Sequence, residues 1–250
     1  MLTDDQLLRY SRHILLPQVD VQGQEAFARA RVLIVGLGGL GSPVALYLAA
    51  SGIGQLVLVD DDRVEISNLQ RQIAHTEARL NQDKVASAAE AVAAVNRGIQ
   101  VEAINKRLSE AELNEQVNRA DVVVDCSDNF ATRCSVNAAC VKNKKPLVSG
   151  AAIRLDGQLA VFDSRREDSP CYQCLYEVTG EDNLSCAESG VLAPLVGVIG
   201  SLQALEVLKL VGRFGEPLVG RLLLFDAEHT QWRELRLRRD PACSICGKHK

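Results

Sequence analysis

Several features that mark specialised classes of protein are missing from this sequence of 250 residues. Its formal net charge is only -4, and no basic run interleaved with aromatic residues occurs in it, so nothing indicates nucleic-acid binding. The N-terminal stretch MLTDDQLLRY has no basic start followed by an apolar segment, so no secretory signal is visible. We therefore expect a cytoplasmic protein that binds no nucleic acid.

Long hydrophobic runs are also scarce. The longest lies around residues 191–205, and it is interrupted by Pro194, Gly197, Gly200 and Gln203. It is shorter than the roughly 20 residues that a membrane span needs, so we interpret it as a buried helix and expect no membrane association. Because no repeat, low-complexity tract or Pro/Ser-rich linker divides the chain, we expect one domain over residues 1–250.

The distribution of apolar residues predicts an α/β fold. Short apolar runs at 31–35, 55–59, 101–104, 122–125 and 147–149 alternate with helical patterns at 40–51, 84–95, 110–117 and 131–142. Strands that are apolar throughout are typical of a parallel sheet covered on both faces. The pattern then changes to a strand at 158–162, a helix at 194–210 and a hairpin of 222–225 with 232–237. We expect a Rossmann-like half of parallel strands that continues into a mixed, antiparallel C-terminal half.

The N-terminus predicts a helix of its own. Thr3 can cap it, with Gln6 in the capping-box position, and the helix would run to about Ile14. Arg9 and Arg12 are three residues apart, so they would share one face of this helix.

A glycine-rich turn, Gly36-Leu-Gly-Gly-Leu-Gly41, follows the first predicted strand and precedes a predicted helix. Its GxGxxG pattern lets phosphate groups approach main-chain N–H groups at a helix N-terminus, where the helix dipole favours anions. Asp60 ends the next strand, and a carboxylate there can accept hydrogen bonds from ribose hydroxyls. The pattern predicts a nucleotide site with NAD as the default ligand. The alternative is a turn whose glycines serve only the close packing of helix on strand.

Two basic residues beyond Asp60 change the expected ligand. A nicotinamide enzyme has no need for Arg71 and Lys84 at this point, whereas the several charges of a nucleoside triphosphate can be neutralised by a guanidinium fork and an ammonium group. Each residue alone could equally be a solvated surface side chain. Together they favour ATP over NAD.

The order of these motifs resembles the MoeB/ThiF family, the bacterial relatives of ubiquitin-activating enzymes. The resemblance rests on RYSR at 9–12, GLGGLG at 36–41, Asp60, SNLQRQ at 67–72, Lys84, DCSDN at 125–129 and two CxxC pairs, and it covers essentially the whole chain. It implies that ATP and Mg²⁺ are used to adenylate the C-terminal carboxylate of a small ubiquitin-like sulfur carrier ending in Gly-Gly. It also implies a helical arm at 1–30, a nucleotide-binding half at 31–150 and a carrier-binding half at 151–250.

The resemblance also implies roles for single residues. Asp60 would hold the ribose, and Asp128 matches an essential aspartate close to magnesium and the α-phosphate. Arg12 matches an arginine that reaches the ATP of the other subunit, which implies a homodimer. The complete expected nucleotide site is Gly36, Gly38, Gly39, Gly41, Asp60, Asp62, Ser67, Asn68, Arg71, Lys84, Asp128 and Asn129. The alternative for Asp128 is an ordinary helix cap, because Ser127, Asp128 and Asn129 are all good capping types before a helix at Ala131.

Four of the eight cysteines form two CxxC pairs, Cys171 with Cys174 and Cys243 with Cys246. Each pair can point two thiolates at one centre, and two pairs complete a tetrahedral Zn²⁺ site with no open position, which favours a structural metal. The alternative is redox chemistry, for which a single CxxC pair suffices.

Cys186 lies apart from these pairs, in a polar stretch at 183–190. It matches a cysteine that bonds covalently to the activated carrier in some relatives and is dispensable in others. A covalent role after adenylation and no role at all both remain open.

Two carriers fit the resemblance. Residues 147–154 and 190–194 look more like the molybdopterin-pathway members, whereas 45–48, 129–133 and 231–233 look more like the thiamine-pathway members. We favour the small subunit of molybdopterin synthase as the substrate, and the same reaction on the thiamine-pathway carrier or on several carriers is the alternative. The chain stops four residues after Cys246, so we expect a separate sulfur donor such as a cysteine desulfurase or sulfurtransferase. An NAD-dependent oxidoreductase and a non-catalytic, zinc-stapled binding protein are distant alternatives.

Overall fold

Three short helices form the N-terminal arm of the protein in a computed structural model that describes residues 2–176 and 189–247. They are α1 (Asp4–Arg9), α2 (Ser11–Ile14) and α3 (Asp20–Arg29). The predicted capping box at Thr3 is present, since the Thr3 hydroxyl accepts from the N–H of Gln6 at 3.3 Å and the Gln6 side chain accepts from the N–H of Thr3 at 3.0 Å.

The prediction of one continuous helix to Ile14 was wrong. Tyr10 separates α1 from α2 because its ring is buried and its hydroxyl accepts a 2.8 Å hydrogen bond from Asn96 Nδ2. The chain bends at that residue, so Arg9 and Arg12 belong to different helices.

The parallel half of the sheet follows the arm. Its strands are β1 (Arg31–Val35), β2 (Gln55–Asp60), β3 (Gln100–Asn105), β4 (Val122–Asp125) and β5 (Leu147–Ile153), joined through α4 (Gly41–Ser51), α5 (Lys84–Val95), α6 (Glu110–Arg119) and α7 (Phe130–Lys142). Strand β1 pairs in parallel with β2 on one side and with β4 on the other. The strand order therefore reverses beside β1, and in open α/β sheets ligands bind at such a switch point, outside the carboxyl ends of the strands.

The C-terminal half continues the same sheet with antiparallel pairs. Its elements are β6 (Asp156–Phe162), α8 (Tyr172–Leu175), α9 (Ala193–Gly212), β7 (Arg221–Asp226) and β8 (Gln231–Arg236). The strand order β3-β2-β1-β4-β5-β6-β7-β8 makes one eight-stranded mixed sheet. The predicted change from parallel to antiparallel pairing is confirmed, and it occurs between β5 and β6.

Both faces of β1, β2 and β4 are covered, as their continuous apolar runs predicted, whereas the edge strand β3 is partly exposed and the prediction was wrong for it. In β1, Val32 and Ile34 belong to one buried cluster, and Leu33 and Val35 belong to the cluster on the opposite face. Burying each such aliphatic side chain stabilises the fold by roughly 1.5–3 kcal/mol. The inner strands therefore lie in the core up to the edge where their carboxyl ends meet.

Helix α9 packs on α4, β5 and β6. With 20 residues it is longer than the sequence suggested, and by length and composition alone it could cross a membrane. Its Leu195, Ile199 and Val207 are buried in the core, which confirms the interpretation as a buried helix. A Cβ at Gly200 would come within 2.5 Å of Pro43, so this glycine permits the close contact between α9 and α4.

Candidate nucleotide site

A cavity of about 600 Å³ opens at the switch point of the sheet. It lies where β1, β2 and β4 end, so the polar residues that follow those strands converge there. The predicted residues that line it are Gly36, Gly38, Gly39, Asp60, Asp62, Arg71, Lys84, Asp128 and Asn129. The topology thus places nine residues from distant parts of the sequence around one space of a size that suits a cofactor or small ligand.

The glycines of the turn divide into two groups. A Cβ added at Gly36 would lie 2.8 Å from the Cys126 carbonyl oxygen, and a Cβ added at Gly39 would lie 2.9 Å from Val196. At Gly41 an added Cβ would collide with the Gly36 carbonyl. Gly36 also has a φ of +92°, which disfavours other residues. The packing interpretation therefore accounts for these three. At Gly38 a Cβ would meet only the Gln72 amide, at 3.5 Å, so this glycine leaves its backbone open toward the cavity.

Asp60 joins the end of β2 to the glycine turn. Its Oδ2 accepts from the N–H of Leu37 at 2.6 Å, and its Oδ1 accepts from the N–H of Asp62 at 2.9 Å. Burial raises the pKa of Asp60 above its ordinary value, and the nearby Lys84 ammonium partly offsets this effect. Each oxygen of an ionised carboxylate has two lone pairs, so both keep capacity to accept from hydroxyl groups in the cavity.

Lys84 is the first residue of α5, and only 5% of it is exposed. Its Nζ lies 2.8 Å from Oδ2 of Asp62, so the solvated-surface interpretation is wrong for this lysine. Arg71 is half-buried, and its Nη1 donates to the Ser67 carbonyl at 3.1 Å. An ammonium and a guanidinium group thus face the cavity, and both favour an anion there.

Asn129, not Asp128, caps the helix that follows β4. The Asn129 Oδ1 accepts from the N–H of Thr132 at 2.9 Å at the start of α7. Asp128 lines the cavity with an exposed side chain. Because the neighbouring residue serves as the cap, the Asp128 carboxylate is available to hold a cation.

Some of the predicted residues do not line the cavity formed by the described part of the chain. Gly41 lies behind the turn, at the start of α4. Ser67 and Asn68 belong to a 3₁₀ turn at Ile66–Asn68, where the Asn68 Oδ1 accepts from the N–H of Glu65. Arg12 is exposed on α2. Cys186 lies outside the described residues.

Sequence reasoning missed Arg133, which also lines the cavity and is largely buried. Its Nη2 donates to the Ser127 carbonyl at 2.5 Å, and its Nη1 lies 4.0 Å from the buried carboxylate of Asp125. That carboxylate also accepts from the hydroxyls of Ser127 and Ser149, at 2.6 and 3.1 Å. Lys106 and Arg107, which follow β3, also line the cavity and were not predicted. A charged residue in the first turns of a helix that follows a strand was the only sequence signal for Arg133.

His75 supports the turn from behind. Its Nε2 lies 3.0 Å from the Leu37 carbonyl oxygen, and its Nδ1 lies 2.8 Å from the Ser87 hydroxyl on α5. A carbonyl only accepts, so Nε2 must carry a proton, and the neutral ring then accepts from Ser87 at Nδ1. Burial lowers the pKa of His75 below its ordinary value of 6.5.

The four cysteines of the CxxC pairs form a second site, which joins α8 to the C-terminal segment. Their sulfur atoms all lie within 4.8 Å of one another. Cys171 Sγ is 3.7 Å from Cys243 Sγ and 4.0 Å from Cys174 Sγ, whereas a disulfide needs sulfur atoms about 2.05 Å apart. Zn–S bonds of about 2.3 Å in a tetrahedron place sulfur atoms about 3.8 Å apart. The cluster is therefore compatible with Zn²⁺.

Donors around the cysteines suit bound thiolates. Asn137 Nδ2 lies 3.6 Å from Cys171 Sγ, and the N–H of Asp240 points at Cys174 Sγ from 3.4 Å. The N–H of Gly247 donates to the Cys243 carbonyl at 2.9 Å, and a Cβ at Gly247 would lie 2.7 Å from the Pro241 carbonyl, so glycine is required in this tight turn.

The structure is that of an α/β protein with a cavity at the switch point of its sheet and a four-cysteine cluster compatible with Zn²⁺. Residues 10–245 match the ThiF family. The chain belongs to this family, which confirms the resemblance seen in its motifs.

Full-length relatives agree with this assignment. The chain is 48% identical to the molybdopterin-synthase adenylyltransferase of Salmonella typhimurium, over 99% of each protein. It is 46% identical to the sulfur carrier protein ThiS adenylyltransferase of Escherichia coli, over 98% of this chain and 97% of that one. The crystal structure of Escherichia coli MccB with ATP matches with a TM-score of 0.85 and 27% identity, covering 96% of this chain and 73% of that chain.

The neutral tautomer of His75 predicts a pH dependence of stability. Because the folded pKa is depressed, the unfolded chain binds more protons once the pH falls below about 6.5, so the contribution of His75 is complete above that pH and is lost below it. The wild-type free energy of unfolding, measured by urea denaturation, should fall more between pH 7.5 and pH 5.5 than that of His75→Gln, which cannot titrate. Gln70→Met, at an exposed residue that does not titrate, is the control and should show the pH dependence of wild type. Equal slopes for wild type and His75→Gln would contradict this assignment.

Proposed function

We propose that this chain is an adenylyltransferase that uses ATP to activate the C-terminal carboxylate of a ubiquitin-like sulfur carrier, and that the small subunit of molybdopterin synthase is its main substrate. The observation that carries the proposal is the cavity at the switch point. It combines an open glycine backbone at Gly38 with the cations Arg71, Lys84 and Arg133 and the carboxylate of Asp128. Full-length relatives named as adenylyltransferases support the reaction class.

The reaction needs no nucleophile from the enzyme. A carboxylate oxygen of the carrier attacks the α-phosphorus, a new C–O–P linkage forms, and the bond from that phosphorus to the β-bridging oxygen breaks. Pyrophosphate leaves with the electron pair. The enzyme therefore acts by positioning the reactants and by neutralising charge, which are large contributions when the charged groups are already fixed in place.

The residues of the cavity fit these tasks. Asp60 orients the ribose, and Lys84 and Arg71 neutralise negative charge on the phosphates. Asp128 would hold Mg²⁺, which supplies further charge neutralisation on the phosphate oxygens when bound. The ion pair between Lys84 and Asp62 keeps the ammonium group pointed at the cavity before ATP arrives.

The thiamine-pathway carrier is the second candidate substrate. The similar identities to a molybdopterin-synthase adenylyltransferase and to a ThiS adenylyltransferase, 48% and 46%, support it as an alternative within the same reaction. Sulfur enters after adenylation, from a separate donor. Cys186, if it acts, does so at that later stage.

We also propose that the protein acts as a homodimer. Arg12 is exposed on α2 and does not line the cavity formed by the described part of its own chain. This position suits a side chain that reaches the ATP of a second subunit. Leu8, Leu15 and Leu16 of the arm are also exposed, at 76%, 71% and 49%, and a second copy would cover them.

Isotope exchange between ATP and pyrophosphate tests the proposed reaction. Wild type should show exchange that depends on a carrier ending in Gly-Gly. Lys84→Met keeps the length of a buried side chain but removes its charge, and kcat/KM should fall by about 10²-fold or more, as expected when a fixed charge-stabilising donor is lost. Lys142→Met, at an exposed lysine of α7, is the matched control and should retain activity. Cys186→Ala should also retain exchange.

Two outcomes would contradict the account. Absence of carrier-dependent exchange with both the molybdopterin-pathway and the thiamine-pathway carriers would rule out the proposed reaction. Equal activity of the Lys84 and Lys142 variants would remove Lys84 from the site. Comparison of the two carriers by kcat/KM decides between the candidate substrates, and we expect the molybdopterin-pathway carrier to be preferred.

We also propose that the four cysteines of the cluster together bind one structural Zn²⁺. The metal would cross-link α8 to the C-terminal segment. Without it, only weak contacts between sulfur atoms, such as that of Cys171 with Cys243, would join these two parts of the chain.

Protein purified without chelators should contain one zinc per chain by elemental analysis. Cys243→Ser should lose the metal and melt at a lower temperature, whereas Cys134→Ser, at a cysteine of α7 outside the cluster, should keep it. Wild type without zinc, or a Cys243 variant with full zinc, would rule out this site.

A further inference from the structure

We infer that Asn137 is a positioning residue that couples the cysteine cluster to the nucleotide cavity. It fastens the first CxxC pair to α7, and the first turns of α7 form one wall of that cavity. The inference goes beyond a structural role for the metal, because it makes the binding of Zn²⁺ and the binding of ATP depend on each other. It rests on the proposed Zn²⁺ and ATP sites.

Asn137 lies in the middle of α7, although asparagine is a poor helix former. Its side chain is fully buried, and the segment that carries the first CxxC pair uses both ends of its amide. Nδ2 lies 3.6 Å from Cys171 Sγ and donates to Gln173 Oε1 at 3.3 Å, and Oδ1 accepts from the N–H of Tyr172 at 2.9 Å. One amide therefore holds three consecutive residues, and one of its donors points at a sulfur atom of the cluster.

A second contact fastens the same segment to the start of α7. The Tyr172 ring is buried, and its centroid lies 6.1 Å from that of the Phe130 ring. Phe130 is the first residue of α7 and Asn137 lies seven positions later, so both project from one face of the helix. At about 1.5 Å per residue the two contacts are roughly 10 Å apart along the helix, so together they fix its direction as well as its position.

The part of α7 between these two contacts belongs to the nucleotide cavity. Arg133 lies three residues after Phe130 and four before Asn137, so it shares their face of the helix, and it lines the cavity. Arg133 and Tyr172 also border a second, smaller cavity together. Asp128, the proposed ligand of Mg²⁺, lies two residues before the helix begins. The position of α7 therefore sets where these charged groups meet a nucleotide.

These contacts link the two sites energetically. Groups that hydrogen-bond to metal ligands orient those ligands, and their loss typically weakens metal binding by roughly 10- to 100-fold. Here the orienting group belongs to the helix that borders the nucleotide cavity. A nucleotide that holds α7 in place therefore also orients the cluster for Zn²⁺. Such coupling is reciprocal, so each ligand must tighten binding of the other by the same factor.

The affinity for Zn²⁺, measured with and without Mg·ATP, tests this coupling. It is determined on the full-length protein at free Zn²⁺ concentrations fixed by a metal buffer, so that binding of zinc to ATP itself does not contribute. Asn137→Asp keeps the shape of the side chain and the acceptor for the Tyr172 N–H, but it loses the donor to sulfur and adds a negative charge. Asn143→Asp is the matched control, because Asn143 caps the far end of α7 and its amide bonds to Asn114 and Ala139.

We expect Mg·ATP to tighten Zn²⁺ binding to wild type by about fivefold or more, the lower end of typical coupling between two sites. Asn137→Asp should bind Zn²⁺ about tenfold or more weakly than wild type, and Mg·ATP should change that affinity by less than about twofold. Asn143→Asp should match wild type in both measurements. Asn137→Ser, which also removes the amide, replaces the aspartate variant if that variant does not fold, and the same two changes are expected of it.

A purely structural asparagine gives a different result. Asn137→Asp would then lower the melting temperature but keep the wild-type Zn²⁺ affinity or the wild-type effect of Mg·ATP, and either result overturns the inference. An effect of Mg·ATP below about twofold on wild type overturns it as well. Wild type that binds no Zn²⁺, or no ATP, overturns the inference together with the corresponding proposed site, so these failures are distinguishable.

Discussion

The contact between the glycine turn and the end of β4 is the constraint on which the rest of the site depends. The position of a Cβ at Gly36 is only 2.8 Å from the Cys126 carbonyl oxygen, so the chain after β1 passes directly over the chain after β4. The cavity lies beside this close passage, between the turn, Asp60 and Asp128. Asp60 and His75 then hold Leu37 by its N–H and its carbonyl respectively, so two side chains fix the backbone of the turn that borders the cavity.

The buried cations that line the cavity lose hydration on folding, and each is compensated by a carboxylate partner. Lys84 and Arg133 are both largely buried, and each has a carboxylate partner: Asp62 at 2.8 Å for the lysine and Asp125 at 4.0 Å for the arginine. Burying a charge without a partner is expensive, so each carboxylate offsets part of the cost of burying its cation. An anionic nucleotide then meets charges that are already oriented, which is the arrangement that adenylation requires.

Where a strand or helix has a clear apolar period, the sequence predicted its first and last residues correctly. Contacts between residues that are distant in the sequence could not be predicted in this way. Strands β1 and β4 and helix α5 have the bounds that their apolar runs indicated. The residue pattern alone did not indicate helix α3, because its ten residues are mostly polar and include a glycine, although the family resemblance implied a helical arm at 1–30. Nine predicted site residues line the cavity, and all but Arg71 lie at or just after the end of a parallel strand or begin the next helix. The role of His75 depends on Leu37, which lies 38 residues away in the sequence, so no local pattern could reveal it.

The central claim is that a carboxylate attacks the α-phosphorus of ATP in this cavity, and oxygen-18 in the C-terminal carboxylate of the carrier tests it most directly. After incubation with ATP, hydroxylamine cleaves the acyl-adenylate at its acyl carbon, and the released AMP is examined by mass spectrometry. The account predicts that AMP contains one carboxylate oxygen and therefore carries the label. Unlabelled AMP, with the label retained entirely by the carrier, would show that ATP was hydrolysed by water and would contradict the account.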